Sequence, residues 1–172
     1  MSLRKPKVLP KIPKTRKKKP HAALVAIPTK KPDKLEYYCK AFFKYDGKQK
    51  KQYYAFAIET VVEFTAFAYE VSVDVIKEKN VINLVVMGLR AKLNSVPRVQ
   101  PARNESLFED LFGEFTVNVV KQDGAINSAD FYFNIYKKEL LLLKQYKPKK
   151  KNNRLFCEFK IADEEFSFPE EN

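Results

Sequence analysis

Nine lysines or arginines stand in the first 21 residues: Arg4, Lys5, Lys7, Lys11, Lys14, Arg16, Lys17, Lys18 and Lys19. No acidic residue separates them, and the run "KTRKKKPH" places five at residues 14 and 16–19. Cations this dense suit one chemistry, the neutralisation of a polyanion. Each contacted phosphate releases condensed counterions, so binding weakens with salt at a slope of about −0.7 to −0.9 per contact.

A second stretch, "YYCKAFFKYDGKQKKQYY" at residues 37–54, holds seven aromatics, five lysines and one acid. Read as a hairpin, it sets Tyr38, Lys40, Phe42 and Lys44 on one face, with Tyr53 across from Lys44. Rings alternating with lysines are the means by which single-stranded nucleic acid is held, bases stacking at roughly 1–3 kcal/mol each. The structural alternative is a packed face whose lysine stems reach out to water, a core with a basic rim.

Other chemistries lack their residues. His21 is the single histidine and sits within the cationic run, so no folded Ser-His-Asp or Cys-His base is expected. One histidine and two distant cysteines, Cys39 and Cys157, do not make a closed zinc site. There is no phosphate-cradling glycine loop. Glu59 with Glu63, and Glu70 with Asp74, share strand faces and read as solvated faces rather than acid–base pairs. No catalytic residue, metal, cofactor or small-molecule substrate is expected. The cysteines fall on apolar strand faces and read as buried, reduced thiols.

These residues need elements to position them. Residues 1–34 carry a net charge of +11 and residues 35–172 a net of +1. Pro6, Pro10, Pro13 and Pro20 deny residues 1–21 a helix, and the like charges repel, so this segment reads as a disordered basic arm. From residue 22 the pattern turns to β: "AALVAI" is a first strand, and "LEYYCKAFFKY" alternates cleanly. Pairing Tyr45 with Gln52 puts Phe43 opposite Tyr54, Ala41 opposite Phe56 and Cys39 opposite Ile58, which keeps one face apolar throughout. Beyond Tyr54 the apolar phase switches from even to odd positions, which calls for a bulge or sheet-changing bend near Thr65; a helical turn there is the alternative. "VINLVVMGL" reads as a strand buried on both faces, and "ESLFEDLFG" as a short helix with Gly113 as its cap. "EFTVNVV" and "DFYFNIY" form a hairpin, and "LLLLKQY" and "RLFCEFKI" another pair around the lysine loop "KPKKKNN".

The fold class is therefore mainly β: an antiparallel β-sandwich or partly closed barrel of about eight strands with a short helix, over residues 22–163. The acidic end at 164–172 reads as an edge strand's solvated continuation, with a partner-recruiting acidic tail as the alternative. The expected function is non-catalytic nucleic-acid binding, RNA favoured over DNA, with low sequence specificity. The alternatives are a shell or coat subunit, which implies a larger assembly or homo-oligomer, and a protein-interaction module. The arm lacks aromatic or long apolar anchors, so no stable membrane association is expected of it. "AALVAI" is too short for a secretory apolar region and Pro28 follows it, which places the protein in the cytoplasm.

Overall fold

A computed structural model describes residues 32–93, 95–150 and 152–170. The arm, its nine cations and the "AALVAI" segment lie outside the described residues. Nine strands follow: β1 (Tyr37–Asp46), β2 (Lys51–Phe64), β3 (Tyr69–Glu78), β4 (Val81–Ala91), β5 (Gln100–Phe108), β6 (Gly113–Lys121), β7 (Ile126–Asn134), β8 (Glu139–Gln145) and β9 (Cys157–Ile161). They form two packed sheets, ordered β5-β2-β1-β9 and β3-β4-β6-β7-β8.

Alternation writes the first hairpin. β1 and β2 pair as Tyr45↔Gln52, Phe43↔Tyr54, Ala41↔Phe56 and Cys39↔Ile58, which is the register the apolar face demands. β2 then ends at Phe64 and the chain bends over residues 65–68 before β3 joins the other sheet. The phase switch near Thr65 is this change of sheet, and no helical turn intervenes. The β6–β7 hairpin also forms, from Gly113↔Phe133 to Val120↔Ile126.

Between the sheets lies a core of aromatic rings. Phe56 meets Phe131 and Phe133 edge to face at 5.5 and 5.9 Å, and Tyr54 meets Phe133 at 5.6 Å. Val71, Ile82, Leu84, Val117 and Val119 fill in around them, and Cys39 and Cys157 are buried free thiols. Burial pushes both thiols well above the ordinary cysteine value.

Four expectations are corrected. Glu105–Phe108 is strand rather than helix, because Tyr54↔Phe108 and Phe56↔Ser106 ladder bonds and the Phe56–Phe108 ring contact at 6.0 Å outweigh helical spacing. Leu111 is buried while Leu107 and Phe112 are exposed, and Gly113, at φ +84°, starts β6 instead of capping a helix. β4 buries Ile82, Leu84 and Val86 on one face, whereas Met87 and Leu89 are exposed. β8 pairs only with β7, while β9 lies against β1 in the other sheet. Finally, the sandwich is mixed: β1–β9 and β4–β6 run parallel, the other pairings antiparallel.

Because Phe56 is fully buried against three rings, Phe56→Ala is expected to cost about 3–5 kcal/mol in urea denaturation. Phe67→Ala, at a residue 66% exposed, should stay within about 0.5 kcal/mol.

Candidate polyanion interface

The described chain begins at the end of the sandwich where β1 and β9 start side by side. Asp33 Oδ1 accepts from Leu155 N at 2.8 Å, and Lys34 N donates to Leu155 O at 3.0 Å. Glu36 N and Tyr37 N both donate to Phe156 O, at 2.8 and 3.0 Å. Residues 33–37, which follow the arm in sequence, are thus bonded to the segment that leads out of the lysine loop.

Asn127 fixes that segment. Its Oδ1 accepts from Phe156 N at 2.9 Å and Cys157 N at 2.8 Å, and its Nδ2 donates to Arg154 O at 2.9 Å. Arg154 is a fastener rather than an open cation. Its guanidinium donates to Glu36 Oε1 at 2.7 Å and to Lys34 O at 3.4 Å and sits 5.8 Å over the Phe156 ring. Lys121 also donates to Glu36. Burial pushes the Glu36 carboxyl up, but the bonds and charges of Lys121 and Arg154 outweigh it and hold the group below its ordinary value.

The lysine loop is pinned at both ends to the start of β7. Tyr146 N donates to Ser128 O at 2.9 Å, and the Tyr146 hydroxyl to Asp130 at 2.6 Å. Asn153 exchanges two bonds with the Ile126 backbone, at 3.0 and 2.8 Å. Between these pins Lys147, Lys149 and Lys150 are exposed and, among the described residues, form no ion pair. They border an open groove of about 500 Å³ that also touches Ser128, Tyr146 and Asn153. Lys144 Nζ lies 4.5 Å from the Tyr146 ring centre. The arrangement offers cations beside an aromatic ring, while the Tyr146 and Ser128 hydroxyls already donate to Asp130 and Asn118.

The hairpin face is different. The register brings Tyr38, Lys40, Phe42, Lys44 and Tyr53 to one side as expected, but that side is covered and its charges are paired. Phe42 is 2% exposed beneath the Arg103 guanidinium, 5.5 Å above its ring, and Tyr53 is 8% exposed. Tyr38 lies under Lys160 at 4.0 Å. Lys40 bonds Glu59 at 3.2 Å, Lys44 bonds Glu105, and Arg103 joins Glu59, Glu105 and Glu165. The acidic end takes part. Ser167 N donates to Phe43 O at 2.9 Å, Phe166 packs at 5.1 Å from Phe43 and against the Phe42 cluster, and Glu165 reaches Arg103. Burial raises the Glu105 carboxyl, yet Lys44 and Arg103 together bring it below its ordinary value.

A second groove, about 540 Å³, opens at the opposite end, lined by Gln52, Tyr54, Asp110, Phe112 and Tyr136. Among the described residues no group of three His, Cys, Asp or Glu side chains could hold a metal, and no helix is long and apolar enough to cross a membrane. Comparison with models of known protein families, with curated proteins and with solved structures gave no match to the chain.

Sequence reasoning named the arm and counted the loop lysines but did not join them. The clue available was the sudden pair of acids, Asp33 and Glu36, just after the arm, complementing Arg154 just after the loop.

Asn127→Ala would strand two buried N–H groups at about 1–3 kcal/mol each, so a loss of at least about 2 kcal/mol is expected in urea denaturation. Glu36 and Glu105 both titrate lower when folded. Their contribution is therefore complete above the ordinary carboxylate value of 4.5 and disappears as pH falls through the depressed folded values. Thermal melts across pH should show stability falling below about pH 4.5, with a shallower acid limb in the Glu36→Gln, Glu105→Gln double variant.

Proposed function

We propose that this chain is a non-catalytic nucleic-acid-binding protein, single-stranded RNA favoured over DNA, whose arm and lysine loop act as one electrostatic surface. One observation carries the reading. Residues 33–37, which follow the arm in sequence, are hydrogen-bonded to the segment leaving the loop, and in this reading residues 1–21 share one phosphate backbone with Lys147, Lys149 and Lys150. Tyr146 beside that track can stack a base. Lysines dominate the loop and contact phosphate rather than base edges, which fits low sequence specificity. The hairpin-face residues Lys40, Lys44, Tyr38, Phe42 and Tyr53 are a lesser part of this reading, since their charges are already paired. Two buried free thiols fit a reducing compartment such as the cytoplasm.

The shell-subunit alternative draws less support, because jelly rolls are antiparallel throughout and this sandwich has two parallel pairings.

The test is a titration of fluorescent single-stranded RNA at several salt concentrations. Three proteins are compared: the full chain, a chain lacking residues 1–21, and Lys147→Ala/Lys149→Ala/Lys150→Ala. The salt slope should collapse on truncation and drop by about 2 in the triple variant, at roughly 0.7 per lost phosphate contact. Absence of binding by the full chain at low salt, or equal affinity of all three proteins, overturns the reading.

A further inference from the structure

The end of the sandwich at which β1 begins displays five strongly exposed aliphatic or phenyl side chains. Val62 lies in the irregular stretch of β2 near its end, Phe67 sits in the bend to β3, and Leu93, Val96 and Val99 belong to the β4–β5 connection; all five are between 64% and 87% exposed. Tertiary structure gathers them. Lys92 N donates to Ala68 O at 2.8 Å, Tyr69 pairs with Ala91, and Phe64 pairs with Gln100, so the bend and the connection leave the sheets together. Val61 N donates to Glu36 O at 2.9 Å, which sets the arm junction beside them.

Apolar side chains this exposed and this close together mark an interaction surface. Charge says which kind. Arg90, Lys92 and Arg98 interleave with the apolar residues in sequence. The acids at this end are Asp33, Glu36, Glu63, Glu70 and Asp123. Of these, Glu36 holds Lys121 and Arg154, Glu70 holds Arg90, and Asp33 and Asp123 accept from the Leu155 and Ala125 backbone. Lys34, Lys92 and Arg98 are exposed beside the tips, and Lys147, Lys149 and Lys150 are exposed further along the same end, against the exposed acids Asp33, Glu63 and Asp123. The surface is thus apolar tips at an end where exposed cations outnumber exposed acids.

We infer that this end docks on an anionic lipid surface, with Val62, Phe67, Leu93, Val96 and Val99 entering the headgroup boundary and the surrounding lysines and arginines facing lipid phosphates. Stable anchoring at a membrane takes two signals, buried apolar area and attraction to anionic lipid. The arm alone lacks the first, and the two folded loops supply it. A protein partner would need a broad complementary patch near 800 Å² per side. Side chains that protrude singly from loops suit a deformable bilayer boundary better. The apolar tips play no part in the RNA reading, although the loop lysines serve both, so the test variant changes the tips alone.

The experiment is co-sedimentation of the full chain with phosphatidylcholine vesicles, with and without phosphatidylserine. Leu93→Ser/Val96→Ser is the test variant; both residues are exposed, and its fold is checked by thermal melting against the wild type. The wild type should partition onto the phosphatidylserine vesicles and not onto phosphatidylcholine alone. The double variant should partition roughly tenfold less or weaker still, as expected for losing several buried carbons, with RNA affinity unchanged. Failure of the wild type to sediment, or equal partition of the variant, overturns the inference. So does a concentration-dependent dimer, seen by light scattering, that the variant abolishes, since a second copy would then occupy the tips.

Discussion

Asn127 is a neutral side chain, 1% exposed, that uses its whole amide to hold a piece of chain with no strand partner of its own. Residues 154–156 precede β9, so apart from the Phe156 carbonyl, which Tyr37 N reaches, their backbone groups need partners outside the strand ladder. With Phe156 N, Cys157 N and Arg154 O bonded to Asn127, the Phe156 and Leu155 carbonyls are left aimed at residues 34–37. The place where the arm leaves the body, the closure of the lysine loop and the start of the parallel β1–β9 pair all follow. A buried amide with every polar atom satisfied costs little. Deprived of those bonds, the same groups would be among the most expensive in the fold.

Charge is disposed in two ways, and the difference is physical rather than compositional. On the outer hairpin face each cation is interleaved with a carboxylate: Lys40 with Glu59, Lys44 with Glu105, Arg103 with all three of Glu59, Glu105 and Glu165. Part-exposed pairs of this kind contribute only about 0–1 kcal/mol each to stability. Their larger consequence is a weak net field over that face. At the arm end the acids are instead spent on Arg154, Lys121 and Arg90, and the loop lysines are left to solvent. Screening within about 8–10 Å makes such crowding tolerable and also makes any polyanion contact salt-sensitive.

Legibility in the sequence followed the range of the interaction. The β1–β2 register was readable because a one-residue slip would turn Phe43, Phe56 and Ile58 to solvent. The sheet change near Thr65 was readable as a phase switch, and the β6–β7 hairpin as two alternating runs around Asp123-Gly124. The helix reading of "ESLFEDLFG" failed because spacing cannot weigh a neighbouring β2 edge that offers ladder bonds. Burial of Phe42 depended on Phe166 and Arg103, 124 and 61 positions away in the sequence. Pairing of β9 with β1 spans the same distance in the chain and leaves no local mark. The arm's charge was plain from composition, whereas what it stands next to was not.

The parallel β1–β9 pairing is the step that makes a surface from separate basic segments. In a parallel pair both strands start at the same end, so whatever precedes each must leave from that end. The arm precedes β1 and the lysine loop precedes β9, and Tyr37↔Cys157 places their exits opposite one another. Had β9 joined β8 in the hairpin that adjacent strands usually form, the loop would have been a turn on the other sheet. Had it paired with β1 antiparallel, the loop would have left from the far end of β9, roughly 17 Å away for five residues at about 3.3 Å each. That is beyond two Debye lengths of about 8 Å, where like charges no longer act on one ligand as a unit. The same direction of β1 brings the arm junction to the β2–β3 bend, because β2 runs antiparallel to it and ends where it begins. One strand pairing thus decides that the start of the described chain, the loop lysines and the apolar tips lie at the same end.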